Sequence, residues 1–506
     1  MHSYHIFYFP FKWKIKGRES LLFAEQTNLD NIEWNPYSNW LKKPEITNEE
    51  EQQELYGEKN YYYEFVHAVL YDKYDKGERN SILKHFERKE TRSGNVSYII
   101  SKQGGKTYTL KVDAINLNIY ATGAGMLTFY LINEREDQKE PQDILNINQY
   151  GRRIFPPFYA DIDGKSETAE YLAIEGLNGN PEWYQEDFSS YKKNLMEKVW
   201  EPARFIKYLI ADLCDKMYVY PVIDDRMFVN CWYGNDELSK ELGDDGKYDN
   251  FLTSFDNDFW FRYVFVDSDS ASCRNKKMKK ELIEKATYDR WQKELIKDKN
   301  RYYGALHGIS RYSFVMLTDT GCFSKNILAM HSRTIYSRMV ELVLIQRAST
   351  LRFSEEVTRV SQLSKDNKEE KPVVEHISSL YKEYIRFINQ IHFEEVTAQD
   401  QGIELYRLMS ETLRIDKYVE SLDKELEELH NYMIMLEERK QSKRAELLNI
   451  IAMVFLPAAL LTGIFNMNAS NTSQIIFWKL TAIVLVLASI ISYIMWYLII
   501  KRKKKR

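Results

Sequence analysis

Two long uncharged runs near the C-terminus constrain this chain more than anything else in it. Leu447–Phe465 and Leu480–Ile500 contain no Asp, Glu, Lys or Arg. Each is about 20 residues, which as helix spans the roughly 30 Å hydrocarbon core of a bilayer. Trp478, Tyr493, Trp496 and Tyr497 lie near the ends of the second run, where interfacial aromatic residues gather. A pair of buried core helices is the competing reading, but two such runs are rarely found in soluble folds. Arg439, Lys440, Lys443 and Arg444 precede the first run, the segment Asn466–Gln474 is uncharged, and Lys501–Arg506 is wholly basic. The positive-inside rule therefore predicts a multi-pass protein of the inner (plasma) membrane, with both termini cytoplasmic and lipid as a partner.

The remainder is different in character. The 506-residue chain is 28% charged and 14% aromatic, with a net charge of only -4. That balance excludes a disordered chain and gives no reason to expect direct nucleic-acid binding. The apolar start Tyr4–Phe9 is short, runs into Pro10 and Lys12, lacks a basic lead-in, and reads as a strand rather than a secretion signal. Cys214, Cys231, Cys273 and Cys322 have no CxxC spacing and read as reduced thiols.

Residues 1–320 read as a cytosolic α/β domain of mixed α+β character. Ile115, Leu117 and Ile119 alternate, as do Leu127, Phe129 and Leu131, with Gly123 and Gly125 between them. Phe228–Trp232 and the triplet Phe261, Tyr263, Phe265 read as further strands, and Gly104-Gly105 as a hairpin turn. Pro202–Leu213 and Lys277–Ile296 read as helices. A helical region follows over 321–400, with helices Asn326–Leu363 and Val374–Phe393 around a charged loop, Lys365–Lys371.

A stalk is predicted over 401–446. Leu405, Leu408, Thr412, Ile415, Val419, Leu422, Leu426, Leu429, Met433 and Leu436 alternate by three and four, the spacing of a coiled-coil seam. No Pro or Gly interrupts Ile403–Leu456, so one helix is expected to run from the stalk into the first membrane span. The seam predicts self-association; packing on the chain's own domain is the alternative. The remaining divisions are a first transmembrane helix at 447–465, an outer loop at 466–476, a second transmembrane helix at 477–500 and a basic tail at 501–506.

Phe455-Leu456-Pro457, Leu460, Thr462-Gly463-Ile464-Phe465 and Asn466-Met467-Asn468 resemble the first transmembrane helix of CorA-type divalent-cation channels. The resemblance implies a homo-oligomer, a pentamer by analogy, with Asn466, Met467 and Asn468 at the pore mouth. It implies that Asn468 meets a hydrated cation such as Mg²⁺, and that Leu448, Met453, Leu456 and Leu460 form a hydrophobic gate. Asn466 stands where the family has Gly, and Asn471, Thr472 and Ser473 stand where the family is often acidic, which points away from ordinary magnesium uptake. The enlarged N-terminal half is similar to that of CRISPR-associated (type III) CorA-like membrane effectors. That likeness implies a sensor for an S-adenosylmethionine–AMP messenger (SAM-AMP), with no tightly bound cofactor. A constitutive Mg²⁺/Co²⁺ transporter is the alternative.

No catalytic constellation is present, so the chain does not read as an enzyme. Asp161-Ile162-Asp163-Gly164 lacks the later ligands of a calcium loop and reads as a turn. Arg152-Arg153 precede Ile154-Phe155-Pro156-Pro157-Phe158. Paired guanidinium groups on a stiff segment suit a phosphate, and Phe155, Phe158 or Tyr159 suit stacking on an adenine. A surface ion pair beside an aromatic core is the competing reading. Arg274, Lys276, Lys277, Lys279 and Lys280 form a second basic group that reads as a solvated helix face.

Overall fold

The strand expected at the N-terminus is the one around which the sheet is assembled. The computed structural model describes residues 1–42, 49–71, 81–102, 104–156, 168–189, 201–242, 245–253, 258–296, 301–366, 370–468 and five positions between 479 and 490. The Asp161–Gly164 turn and nearly all of the second apolar run lie outside these residues. The strands are β1 (Ser3–Ile15), β2 (Trp40–Lys42), β3 (Leu83–Arg88), β4 (Ser97–Ser101), β5 (Thr107–Tyr120), β6 (Ala124–Asn133), β7 (Tyr171–Glu175), β8 (Gln185–Asp187), β9 (Met217–Pro221), β10 (Phe228–Gly234), β11 (Thr287–Ile296), β12 (Arg301–Ile309) and β13 (Ser313–Thr318).

They form one sheet in the order β11-β12-β13-β10-β1-β6-β5-β4-β7-β8, with β3 joined to β5, β2 to β3, and β9 to β1. Only the β10–β13 pair is parallel among the described strands. One edge of β1 pairs with β6 along Ser3–Lys12; the other pairs first with β10 and then with β9. The two expected turns are present, with Gly104 (φ +61) between β4 and β5 and Gly123 (φ +79) between β5 and β6.

Alternate residues of β1 serve opposite layers. Phe7, Phe9, Phe11 and Trp13 join one hydrophobic core with Ile144 and Ile147 of helix Pro141–Gly151 and Phe205 and Leu209 of helix Arg204–Leu213. Each buried large side chain contributes roughly 1.5–3 kcal/mol. On the other face lies helix Ile335–Asp366. Tyr8 Oη donates to the Ser337 carbonyl at 3.1 Å, and Lys12 Nζ to Glu355 at 2.8 Å. Further along this helix the half-buried Arg338 bridges Glu58 at 3.1 Å and Glu341 at 3.2 Å, and Glu341 also accepts from Tyr120.

Four expectations need correction. Phe261, Tyr263 and Phe265 lie on a helix, Phe259–Phe265, not a strand. Aromatic residues four apart stack there, Phe261 on Phe265 at 4.4 Å and Phe259 on Tyr263 at 5.4 Å, and at helical spacing they mimic alternation. The helix expected to reach Ile296 ends at Ala286; Thr287, Tyr288 and Trp291 suit a strand and pair with β12. The Lys365–Lys371 loop is narrower than expected, with helix through Asp366 and again from Glu370. Finally, the helix expected from Ile403 to Leu456 is broken at Arg414 (φ 58, ψ 38) into Asp400–Leu413 and Ile415–Asn468. The left-handed residue lets its N–H cap the Ser410 and Glu411 carbonyls, and it allows both Leu413 and Ile415 to be buried.

The chain divides into two units, residues 1–367 with 375–427, and residues 368–374 with 428–506. Within the first unit the seam residues Leu405, Ile415, Val419, Leu422 and Leu426 are buried in the chain's own fold, and Tyr384 Oη donates to Asp423 at 2.7 Å. Packing on its own domain therefore describes this part of the seam. In the second unit Val373 and Leu436 are buried.

Gly151 ends the helix before Arg152, and a Cβ there would lie 2.8 Å from Ile100 and from Phe7. Gly151→Ala is expected to lower stability by about 1–3 kcal/mol. Gly57→Ala, in open space on a helix, is expected to leave stability unchanged or raise it by up to about 1 kcal/mol. Thermal unfolding of the two purified variants checks the contrast.

Candidate ligand cleft

Arg152 follows directly from helix Pro141–Gly151 and is fixed by backbone on both sides. Its carbonyl accepts from Met227 N–H at 2.9 Å, and Arg153 forms an isolated antiparallel bridge with Arg226. The side chain is only 3% exposed, and its Nε has no hydrogen-bond partner. Burial, reinforced by repulsion from Arg226 and Arg153, lowers the guanidinium to about 9. A buried cation without a full set of partners is costly, and such groups mark functional sites more often than structural ones.

The neighbours are basic as well. Arg152, Asp224, Arg226, Arg311, Tyr312, Pro10, Met227, Phe228 and Leu344 line one open cleft. The Arg152 and Arg226 guanidinium carbons lie 5.4 and 5.1 Å from the centre of the Tyr312 ring, in cation–π range. Asp224 holds Arg226 in a fork, with contacts of 3.1, 3.1 and 2.8 Å, and Asp225 approaches the same guanidinium at 3.5 Å. Burial and the adjacent Asp224 raise the Asp225 carboxyl to about 6, whereas Asp224 lies below its usual range, held there by its hydrogen bonds with Asp225 and Arg226 and by the Arg226 and Arg152 charges.

A fourth arginine lies near the cleft on helix Ile335–Asp366, whose Leu344 lines it. Arg347 is lowered mainly by burial, its Nε is without a partner, and it feels Arg311, Asp224 and Arg414. Its guanidinium sits 5.5 Å from the Tyr418 ring centre, on the helix that begins at Ile415. The cleft thus joins the turn after helix Pro141–Gly151, the approach to β10, the β12–β13 turn and helix Ile335–Asp366, and Arg347 of that helix contacts Tyr418, all within the first unit.

The five residues proposed from sequence are not gathered in one place. Arg152 lines the cleft. Arg153 does not; with the Gln149 amide turned so that its oxygen accepts, Arg153 Nη2 and Nε donate to it at 2.9 and 3.2 Å. Phe155 is buried in the core, 6.2 Å from Phe9, and offers no face to a base. Phe158 and Tyr159 lie outside the described residues. Sequence reading missed Arg226, Arg311, Tyr312 and Arg347, which are isolated in the chain and meet only through the sheet. In the second basic group Lys276, Lys277 and Lys280 are solvated as expected, but Lys279 turns inward over the Phe261 ring at 5.4 Å.

At the other end of the chain, Leu448, Met453 and Leu456 are 64%, 57% and 56% exposed, and the neighbouring Phe455 is 67% exposed. The side chain of Leu460 and those of Asn466, Met467 and Asn468 lie outside the described residues, but the helix backbone continues through Asn468. Among the described residues no helix is long and apolar enough to cross a membrane. Nor do they contain a group of three His, Cys, Asp or Glu suited to a metal ion.

Residues 333–503 match the family model described as "CorA-like Mg2+ transporter protein". The match is confined to the C-terminal third of the chain. It includes helix Ile335–Asp366, and therefore Arg347, together with the exposed apolar helix; β1–β13 lie outside the match. No curated protein matches the chain. Among solved structures, the CorA magnesium transporter of Methanocaldococcus jannaschii is 15% identical and aligns over 55% of this chain and 93% of its own, with a TM-score of 0.21. The full-length CmaX protein is 12% identical over 54% and 88%, with a TM-score of 0.18. Neither likeness is close enough to bear on the fold.

Because Arg152 is charged in the unfolded chain well above pH 9, the folded state binds it less favourably at neutral pH, and the deficit shrinks as pH rises through about 9. Arg152→Met is accordingly expected to raise stability at pH 7 by roughly 1–3 kcal/mol, with the gap to wild type narrowing in more alkaline buffer. Unfolding midpoints at the two pH values measure it.

Proposed function

We propose that this chain is a CorA-type pore protein of the inner membrane in which the sheet domain binds a nucleotide messenger and controls a C-terminal hairpin. The family match over 333–503 carries the pore part of this reading. A helix presenting Leu447, Leu448, Ile451, Met453, Phe455 and Leu456 to the outside calls for lipid or for other copies of itself. In this reading the runs 447–465 and 480–500 span the bilayer, the termini stay in the cytoplasm, and a homo-oligomer, a pentamer by family analogy, surrounds the pore.

Leu448, Met453, Leu456 and Leu460 close such a pore by excluding water. Asn466, Met467 and Asn468 stand at its mouth. There Asn468 meets the hydrated cation, and the uncharged loop weakens any preference for Mg²⁺ as cargo. The messenger is a SAM-AMP conjugate, and the role is that of a type III CRISPR defence effector. What supports a ligand at all is the arginine cleft. Its route to the membrane is Arg347, which touches Tyr418 four residues after the Arg414 break. A ligand shifts the pore only if it binds the open arrangement more tightly than the closed one, and a charge-paired Arg347 supplies such a difference. No step of this mechanism is enzymatic.

Constitutive transport of Mg²⁺ or Co²⁺ is the second reading, favoured by the family description itself. Full-length protein in liposomes separates the two. Under gating, cation flux appears only when SAM-AMP is added, and Asn468→Ala changes its ion preference. Flux of Mg²⁺ or Co²⁺ at full rate without any nucleotide would establish constitutive transport instead.

A further inference from the structure

The cleft contains more cation than its own carboxylates neutralise. Arg152, Arg226 and Arg311 line it with a single carboxylate, Asp224, and Asp225 approaches Arg226 from beside it. Arg152 and the nearby Arg347 each keep an Nε buried and unpartnered. Arg226 is already oriented by the Asp224 fork, with its guanidinium against Tyr312. Arg311 is exposed at the cleft mouth, on the turn between β12 and β13.

We infer that Arg152, Arg226 and Arg311, arranged about Tyr312, form a binding site for the phosphate group of a nucleotide, in place of the adjacent pair Arg152-Arg153. Three guanidinium groups from separate parts of the chain converge on one opening, whereas Arg153 is engaged by Gln149 outside it. Guanidinium forks match the tetrahedral oxygens of phosphate, and charge-assisted bonds of this kind are the strong ones. An entering phosphate satisfies donors that have no partner in the protein and relieves repulsion between Arg152 and Arg226. The enclosed part of the cleft is small, about 10 Å³, and it opens to solvent, so the phosphate sits at its mouth, beside the exposed Arg311, and the remainder of the ligand stays outside.

This inference rests on the gating reading only for its choice of a nucleotide as ligand. The test is calorimetric titration of the full-length detergent-solubilised protein with AMP, inorganic phosphate and adenosine. AMP is expected to bind, inorganic phosphate to compete with it, and adenosine to do neither. Arg226→Gln and the surface variant Arg311→Gln are each expected to weaken AMP roughly ten-fold or more. Arg152→Lys, which keeps the charge but loses the fork, weakens it as well, and Lys280→Gln leaves it unchanged. Folded wild type that fails to bind AMP at millimolar concentration, adenosine that binds as tightly as AMP, or both Gln variants retaining full affinity would each overturn the site. A protein that binds AMP as described but whose ion flux ignores every nucleotide would leave the site standing and remove the gating.

Discussion

The double burial of β1 is the constraint on which the rest of the first unit depends. Its backbone is paired on both edges, by β6 on one side and by β10 and β9 on the other. Phe7, Phe9, Phe11 and Trp13 face one core, while Tyr8 and Lys12 reach the helix on the opposite face. A strand used on both edges and both faces cannot slip by one residue without exchanging its two layers. That fixed register holds β10 and helix Ile335–Asp366 against the same strand, and Pro10 of β1 itself lines the cleft. The position of Arg347 relative to Arg226 is thus a consequence of sheet register.

The cleft is assembled against the ordinary preferences of a folded chain. A guanidinium with 3% exposure, held beside two others, lowers the stability of the fold instead of adding to it. Arg338 shows the contrast: it lies between Glu58 and Glu341, and its charged form is strongly favoured by them. Arg338 is the more exposed of the two, with 17% of its side chain accessible against 3% for Arg152, yet it is the one held between two carboxylates. In the proposed site, an anionic ligand would supply the countercharge that Arg152 lacks.

Elements with a simple period were legible in the sequence. The alternation in β5 and β6, the Gly turns, the N-terminal strand and the helix at Arg204–Leu213 all follow from local pattern. The Phe259–Phe265 helix was not, because aromatic residues two apart satisfy a strand and a helix of this length equally well. The break at Arg414 was not either, because a left-handed non-glycine residue leaves no mark of its own in composition. For the proposed site, the Arg152-Arg153 doublet supplies one residue, while the others come from the approach to β10, the β12–β13 turn and, beside the cleft, a helix 195 positions further on. Arg226, Arg311 and Arg347 are single residues in unremarkable surroundings, and only the sheet order brings them together. The exposed apolar helix at 447–456, by contrast, was as plain in the sequence as it is in the structure.

The central claim is that occupancy of the arginine cleft is felt by the stalk that leads to the CorA-like helices. Hydrogen–deuterium exchange on the full-length protein in bilayer nanodiscs, with and without SAM-AMP, tests it most directly. The account predicts slower exchange at residues 223–228 and 310–313 together with a change at residues 411–426, and loss of the second effect in Arg347→Leu. Protection confined to the cleft, with the stalk unaltered in wild type, would contradict it.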